Sequence, residues 1–217
     1  MNSPIIQLLV LAGIAVFLIL RLKNVLGTRD GFEKPPLQAP SPRKRPEFEV
    51  IEGGPDLDIA DHTEGMPDAA EALAKMKTAE PSFGVSDFLG GARGAYEMIL
   101  MGFERGDMAD IKPFLDDDVY ASFAEVVEQR DKQGLTVEAN FVGIREMSLA
   151  DATFDDASGI GEVSVKFIGE MTSVVRDNAG EIVEGDEKKI KRQKDVWTFA
   201  RKMGSDDPNW QLVATGE

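Results

Sequence analysis

The chain has no cysteine, which removes disulfides, thiolate nucleophiles and cysteine-ligated zinc or iron–sulfur centres together. Its one histidine, His62, lies in a polar stretch with no second ligand at metal-binding spacing. No metal site and no cofactor are expected. Positive charge is scarce as well: 24 Lys and Arg stand against 39 Asp and Glu, a net charge of −15. A nucleic-acid partner is therefore not expected, since phosphate binding needs a basic footprint. Aromatic residues make up only 7% of the chain, and its two tryptophans, Trp197 and Trp210, both fall within KDVWTFARKMGSDDPNWQLVAT at residues 194–215.

Long apolar runs are rare too, but one is present. SPIIQLLVLAGIAVFLIL at residues 3–20 carries no charge and is near the length that crosses roughly 30 Å of hydrocarbon as a helix. The segment is apolar on every face, so the sequence predicts a membrane anchor over residues 1–22, with Ile5, Leu9, Gly13, Phe17 and Leu20 among the residues in the hydrocarbon. A cleaved signal peptide would carry its basic residues before the apolar run. Here Arg21, Lys23 and Arg29 follow it instead. The positive-inside bias then places the N-terminus outside and the rest of the chain in the cytoplasm, with membrane lipid as the partner of the helix.

Residues 23–80 are expected to form a tether, basic at first through Arg43, Lys44 and Arg45 and then acidic, with the proline-rich stretch KPPLQAPSPRKRP near its start. Such composition has little to bury. Within it, residues 67–80 have Pro67 at a helix start and Ala69, Leu73 and Met76 on one face, the pattern of a short helix.

Residues 81–217 carry the pattern of a folded domain. From Ser86, a candidate N-cap, Phe88, Leu89, Ala92, Ala95, Tyr96, Ile99, Leu100 and Phe103 follow helical spacing. Gly90, Gly91 and Gly94 within that helix suggest close approach to a neighbouring element. A short helix broken near Pro113 follows, then a helix that opens on Asp116–Asp118 and stops at Gly134. After Gly134 the period changes to two, with strands expected at 136–144, 162–175, 195–201 and 210–214, and a turn in RDNAGEIV at 176–183. In the third strand Trp197 and Phe199 share one face and Val196, Thr198 and Ala200 the other. Helices followed by a four-stranded antiparallel meander make an α+β domain, with the helices packed on one face of a strongly bent sheet.

Taken in order, FLGGARGAYEMILMGFERGD, VSVKFIGEMTSVVRDNAGEIVEGD and DVWTFARKMGSDDPNWQLVAT resemble the Tim44-like domain, the C-terminal domain of the mitochondrial inner-membrane import-motor scaffold, and most closely its short bacterial TimA-type members. Gly91, Tyr96, Gly106, Asp195, Trp197, Arg201, Pro208 and Trp210 are among the matching positions. The resemblance implies a cystatin-like or nuclear-transport-factor-two-like cone, an apolar pocket, attachment to the bacterial inner membrane, a protein partner and no catalysis. Candidate pocket residues are Tyr96, Phe103, Phe123, Phe141, Trp197, Phe199 and Trp210. The reading is a single-span membrane adaptor. A small-molecule or lipid-binding cone is the alternative, and an isomerase-like site would draw on Tyr96 with Glu97 or on Asp195 beside Trp197.

Overall fold

A computed structural model describes residues 56–216. The anchor expected through Ile5, Leu9, Gly13, Phe17 and Leu20 lies outside them, and among the described residues no helix is long and apolar enough to cross a membrane. Among the described residues five helices precede four strands: α1 (Leu57–Ala60), α2 (Pro67–Ala79), α3 (Val85–Arg105), α4 (Met108–Ile111), a 3-10 turn at Lys112–Phe114 and α5 (Asp117–Lys132), then β1 (Thr136–Asp155), β2 (Ile160–Arg176), β3 (Ile182–Lys202) and β4 (Gln211–Gly216). The strands form one antiparallel sheet in sequence order, β1-β2-β3-β4. The α+β architecture read from the sequence is the one observed.

Alternation sets the inner face. Val163, Val165 and Phe167 of β2 and Trp197 and Phe199 of β3 are buried in a core shared with Leu89, Tyr96 and Ile99 of α3. The intervening Val196, Thr198 and Ala200 are only half-buried. Three register shifts interrupt the pairing of β1 with β2, between Phe141 and Gly143, Ile144 and Glu146, and Leu149 and Asp151. Each adds a residue to one strand and bends it, which curves the sheet around the helices.

Two sequence expectations change here. The tether does not extend to residue 80, because α2 is part of the head: Leu73 and Met76 are fully buried, with Ala69 and Ala72 beside them. Burying a Leu or Met side chain is worth roughly 1.5–3 kcal/mol, enough to fix an Ala-rich helix that composition alone would leave solvated. The cap of α3 also differs. Ser86 lies inside the first turn, and Asp58 of α1 supplies the acceptor, taking hydrogen bonds from Val85 N at 2.7 Å, Ser86 N at 2.9 Å and Ser86 Oγ at 2.6 Å. Lys77 of α2 reaches the same carboxylate at 3.1 Å and Asp56 at 2.7 Å. Partial burial works to raise the Asp58 carboxyl, but the hydrogen bonds from Ser86 and Val85, with Lys77, outweigh it and hold the group well below the usual carboxylate range.

The glycines of α3 are also placed differently from the expectation. A Cβ on Gly90, Gly91 or Gly94 would meet nothing within 4 Å, so these three do not mark a close approach. Gly102 does, since its Cβ would collide with Ile111 of α4. Gly91→Ala should therefore raise stability by about 0.5–1 kcal/mol by removing backbone freedom from the unfolded chain. Gly102→Ala should lower it by about 1–3 kcal/mol through overpacking. Urea midpoints of the two variants check the pair, and an equal response would refute this placement of the helix.

Candidate functional site

Tyr96 stands at the centre of the core. Its ring stacks on Phe167 at 4.3 Å between centroids and lies 4.7 Å from Trp197 and 6.2 Å from Phe141. Its hydroxyl donates to Asp195 Oδ2 at 2.6 Å, and Gln193 Nε2 donates to the other oxygen at 3.1 Å. Gly169 makes this possible, because a Cβ there would stand 2.7 Å from the Tyr96 hydroxyl. Burial, then the hydrogen bond to Asp195, keeps the Tyr96 phenol protonated far above its usual range. The structure thus joins Tyr96 to Asp195 rather than to Glu97, which is exposed on the far side of the helix. The pair is a buried tie between α3 and β3, with Tyr96 fully buried and Asp195 8% exposed.

The seven candidate pocket residues do not converge on one cavity. Tyr96, Trp197 and Phe141 are neighbours within the packed aromatic core. Phe103 and Phe123 pair at 4.5 Å where α3 meets α5, and the Arg130 guanidinium caps the Phe103 ring at 4.5 Å. Phe199 and Trp210 line a cleft of about 350 Å³ between the start of α3, the segment before it and the β3–β4 loop. Phe83, Phe88 and Phe114 join them as its apolar wall, while Glu80, Asp87, Arg201 and Asn209 supply polar groups. Trp210 lies 4.7 Å from Phe88 and 5.9 Å from Phe83. Gly91 lines the same cleft with open space where a side chain would be.

At one end of the cleft a salt bridge crosses the fold. Arg201 Nη2 lies 2.7 Å from each oxygen of Glu80, and the Gly204 amide donates to Glu80 Oε2 at 2.9 Å. The Arg201 side chain is 8% exposed and that of Glu80 18%. The Arg201 guanidinium carbon stands 5.2 Å from the Trp210 ring, and its Nε is buried without a hydrogen-bond partner. The hydrogen bond from Arg201 leads the effects that hold the Glu80 carboxyl below its usual range, against partial burial.

Sequence reasoning missed Glu80 as a site residue because the domain boundary at residue 81 left it in the tether; Phe88 entered only as one of the helix-face residues, and Phe83, just before that helix, was passed over. A signal was available in the third strand. Asp195, Trp197, Phe199 and Arg201 occupy the same inward row, and a charged residue on an inward row needs a buried counter-charge.

These features define a compact α+β head, its helices laid across one face of a four-stranded antiparallel meander, with an aromatic cleft where the first long helix meets the last hairpin. The chain belongs to the Tim44-like domain family, whose pattern matches residues 69–217. It is 24% identical over 147 residues to the human mitochondrial import inner membrane translocase subunit TIM44, a match that covers 66% of this chain and 32% of the human protein. The crystal structure of the intermembrane space region of the chloroplast protein ARC6 aligns with 11% identity and a TM-score of 0.35, covering 50% of this chain and 75% of that one. At that distance the likeness carries no functional information.

Proposed function

We propose that the protein is a single-span membrane adaptor of the bacterial inner membrane whose cytoplasmic Tim44-like head captures an apolar side chain of a partner protein in the cleft between Phe88 and Trp210. The observation that carries this reading is the cleft itself. It is open, walled by aromatic rings and edged by Glu80, Asp87, Arg201 and Asn209, a combination suited to an apolar anchor residue flanked by polar backbone. Its volume of about 350 Å³ suits one or two side chains. The apolar run at residues 3–20, with basic residues only on its C-terminal side, supports the membrane attachment and its orientation. The proposal stops short of protein import, because the similarity reaches only 32% of the human protein.

A photoreactive residue at Asn209, on the exposed rim of the cleft, tests this in native membranes. The expected result is a discrete protein adduct that disappears when Gly91→Trp fills the cleft. Adducts with lipid alone would favour a lipid-binding head. A protein adduct indifferent to Gly91→Trp would place the partner elsewhere.

A further inference from the structure

The polar groups of the aromatic cleft are unequally satisfied. Glu80 is fully engaged as an acceptor: it takes Arg201 Nη2 on both oxygens, the Gly204 amide at 2.9 Å and Ser82 Oγ at 3.4 Å. The donors are not. Arg201 engages only Nη2, and its Nε is buried without an acceptor. Arg201 Nη1 and the Trp210 indole Nε1 likewise form no hydrogen bond among the described residues, and both are open to solvent.

A ligand matched to these walls brings carbonyl acceptors and few N–H groups of its own. A helix does not meet that requirement, because its interior carbonyls are already bonded within the helix. A strand carries an N–H at every residue and needs a free sheet edge. At the cleft β3 offers none, since Phe199 is paired with Val163 of β2 and with Leu212 of β4. A polyproline-II segment fits on both counts. It has no internal hydrogen bonds, so its carbonyls are free, and each proline removes an N–H.

The apolar wall suits the same ligand. Phe88 and Trp210 meet at 60° and Phe83 and Trp210 at 41°, so the rings form ridges and grooves rather than one flat surface. Aromatic grooves of this kind hold the rings of a polyproline-II chain, which is stiff before it binds and loses little freedom on docking. Charge adds a direction. Asp87, on the first turn of α3, lines the cleft, is exposed and forms no ion pair among the described residues. The chain as a whole carries −15, so a basic residue beside the prolines is favoured and an acidic one is repelled.

We infer that the cleft binds a proline-rich segment of a partner protein in the polyproline-II conformation, with the Trp210 indole and the Arg201 guanidinium donating to its carbonyls and Asp87 taking a flanking Lys or Arg. The inference rests on the adaptor reading above and narrows the captured apolar group to proline.

Fluorescence anisotropy of labelled peptides, titrated with the full chain in mild detergent, tests it. PPPPPPPPPRR should bind. GSGSGSGSGRR, which is flexible and has no rings, and EAAAKEAAAKRR, which forms a helix, carry the same net charge and should bind at least about tenfold more weakly. Trp210→Phe keeps a ring and removes the N–H, and should weaken PPPPPPPPPRR about three- to tenfold. Asp87→Asn should weaken it about two- to fivefold and leave the all-proline PPPPPPPPP unchanged. Gly91→Trp, which fills the cleft, should abolish binding of both. Circular dichroism should match wild type for the variants at residues 87 and 91, since both positions are exposed.

Equal binding of the flexible or the helical peptide would overturn the inference, as would indifference to Trp210→Phe or to Asp87→Asn. Failure of PPPPPPPPPRR to bind, with an Asn209 adduct that still disappears in Gly91→Trp, would also overturn it and leave the adaptor reading with another class of ligand. Failure of the peptide together with the absence of any such adduct would remove both.

Discussion

Replacing Trp197 by alanine should lower the unfolding free energy by about 3–5 kcal/mol, the range for removing a large aromatic from a packed core. The ring is 3% exposed and lies 4.7 Å from Tyr96, 6.0 Å from Phe167 and 6.3 Å from Phe199. Its backbone is fixed between Val165 of β2 and Thr215 of β4. Those neighbours are held by two strands and by the Tyr96–Asp195 hydrogen bond, so the cavity cannot close by collapse. Against a total stability of roughly 5–15 kcal/mol, a loss of that size leaves a marginal head. Urea unfolding followed by circular dichroism, with an unchanged slope, measures it. A loss under about 1.5 kcal/mol would mean that the site relaxes or that the ring is not core. Trp210→Ala should cost clearly less, because that ring is half-buried at the cleft.

The two tryptophans therefore separate into a core residue and a cleft residue, a division the sequence could not supply. Alternation placed Trp197 and Phe199 on the inner face and Trp210 beside the same hairpin, because period two is enforced by the pleat whatever lies beyond it. Depth is different: it depends on which helix lies across each strand. Phe88 and Phe83 turn Trp210 into a cleft wall, and their approach depends on α1 and α2, which composition assigned to the tether. Acidic and alanine-rich, residues 56–79 resemble a solvated linker until Leu73 and Met76 are seen against the sheet.

Distance along the chain explains the other gaps. Asp58 caps a helix that begins 27 residues later, and no local capping rule looks so far upstream. The glycines of α3 suggested close packing by residue type, yet the decision rests on what lies opposite each one, which is open space at Gly91 and Ile111 at Gly102. The first half of β3 was hidden differently. Residues 184–194 have no clean alternation, since the bulge between Asp186 and Lys191 shifts the period within the strand.

The ion pair between Arg201 and Glu80 carries the second large effect. Arg201→Ala should destabilise the head by about 3 kcal/mol, the low end expected when one partner of a buried pair is removed, because Glu80 retains some exposure to water. Glu80→Gln tests the same contact by charge and adds a pH signature. The folded Glu80 carboxyl titrates below its ordinary value of 4.5, so between the folded and unfolded values the unfolded chain binds more protons and stability rises with pH. The contribution is fully present above about pH 4.5 and is lost as pH falls through the folded value. The stability gap between wild type and Glu80→Gln should accordingly be wide at pH 7 and close in acid. A gap that stayed constant down to pH 3 would mean that shape, not charge, holds the contact. Because this pair ties the end of α2 to β3 beside Trp210, Arg201→Ala should also loosen the cleft and weaken the Asn209 crosslink even where the head remains folded. Loss of stability with an undiminished crosslink would separate the latch from the binding site.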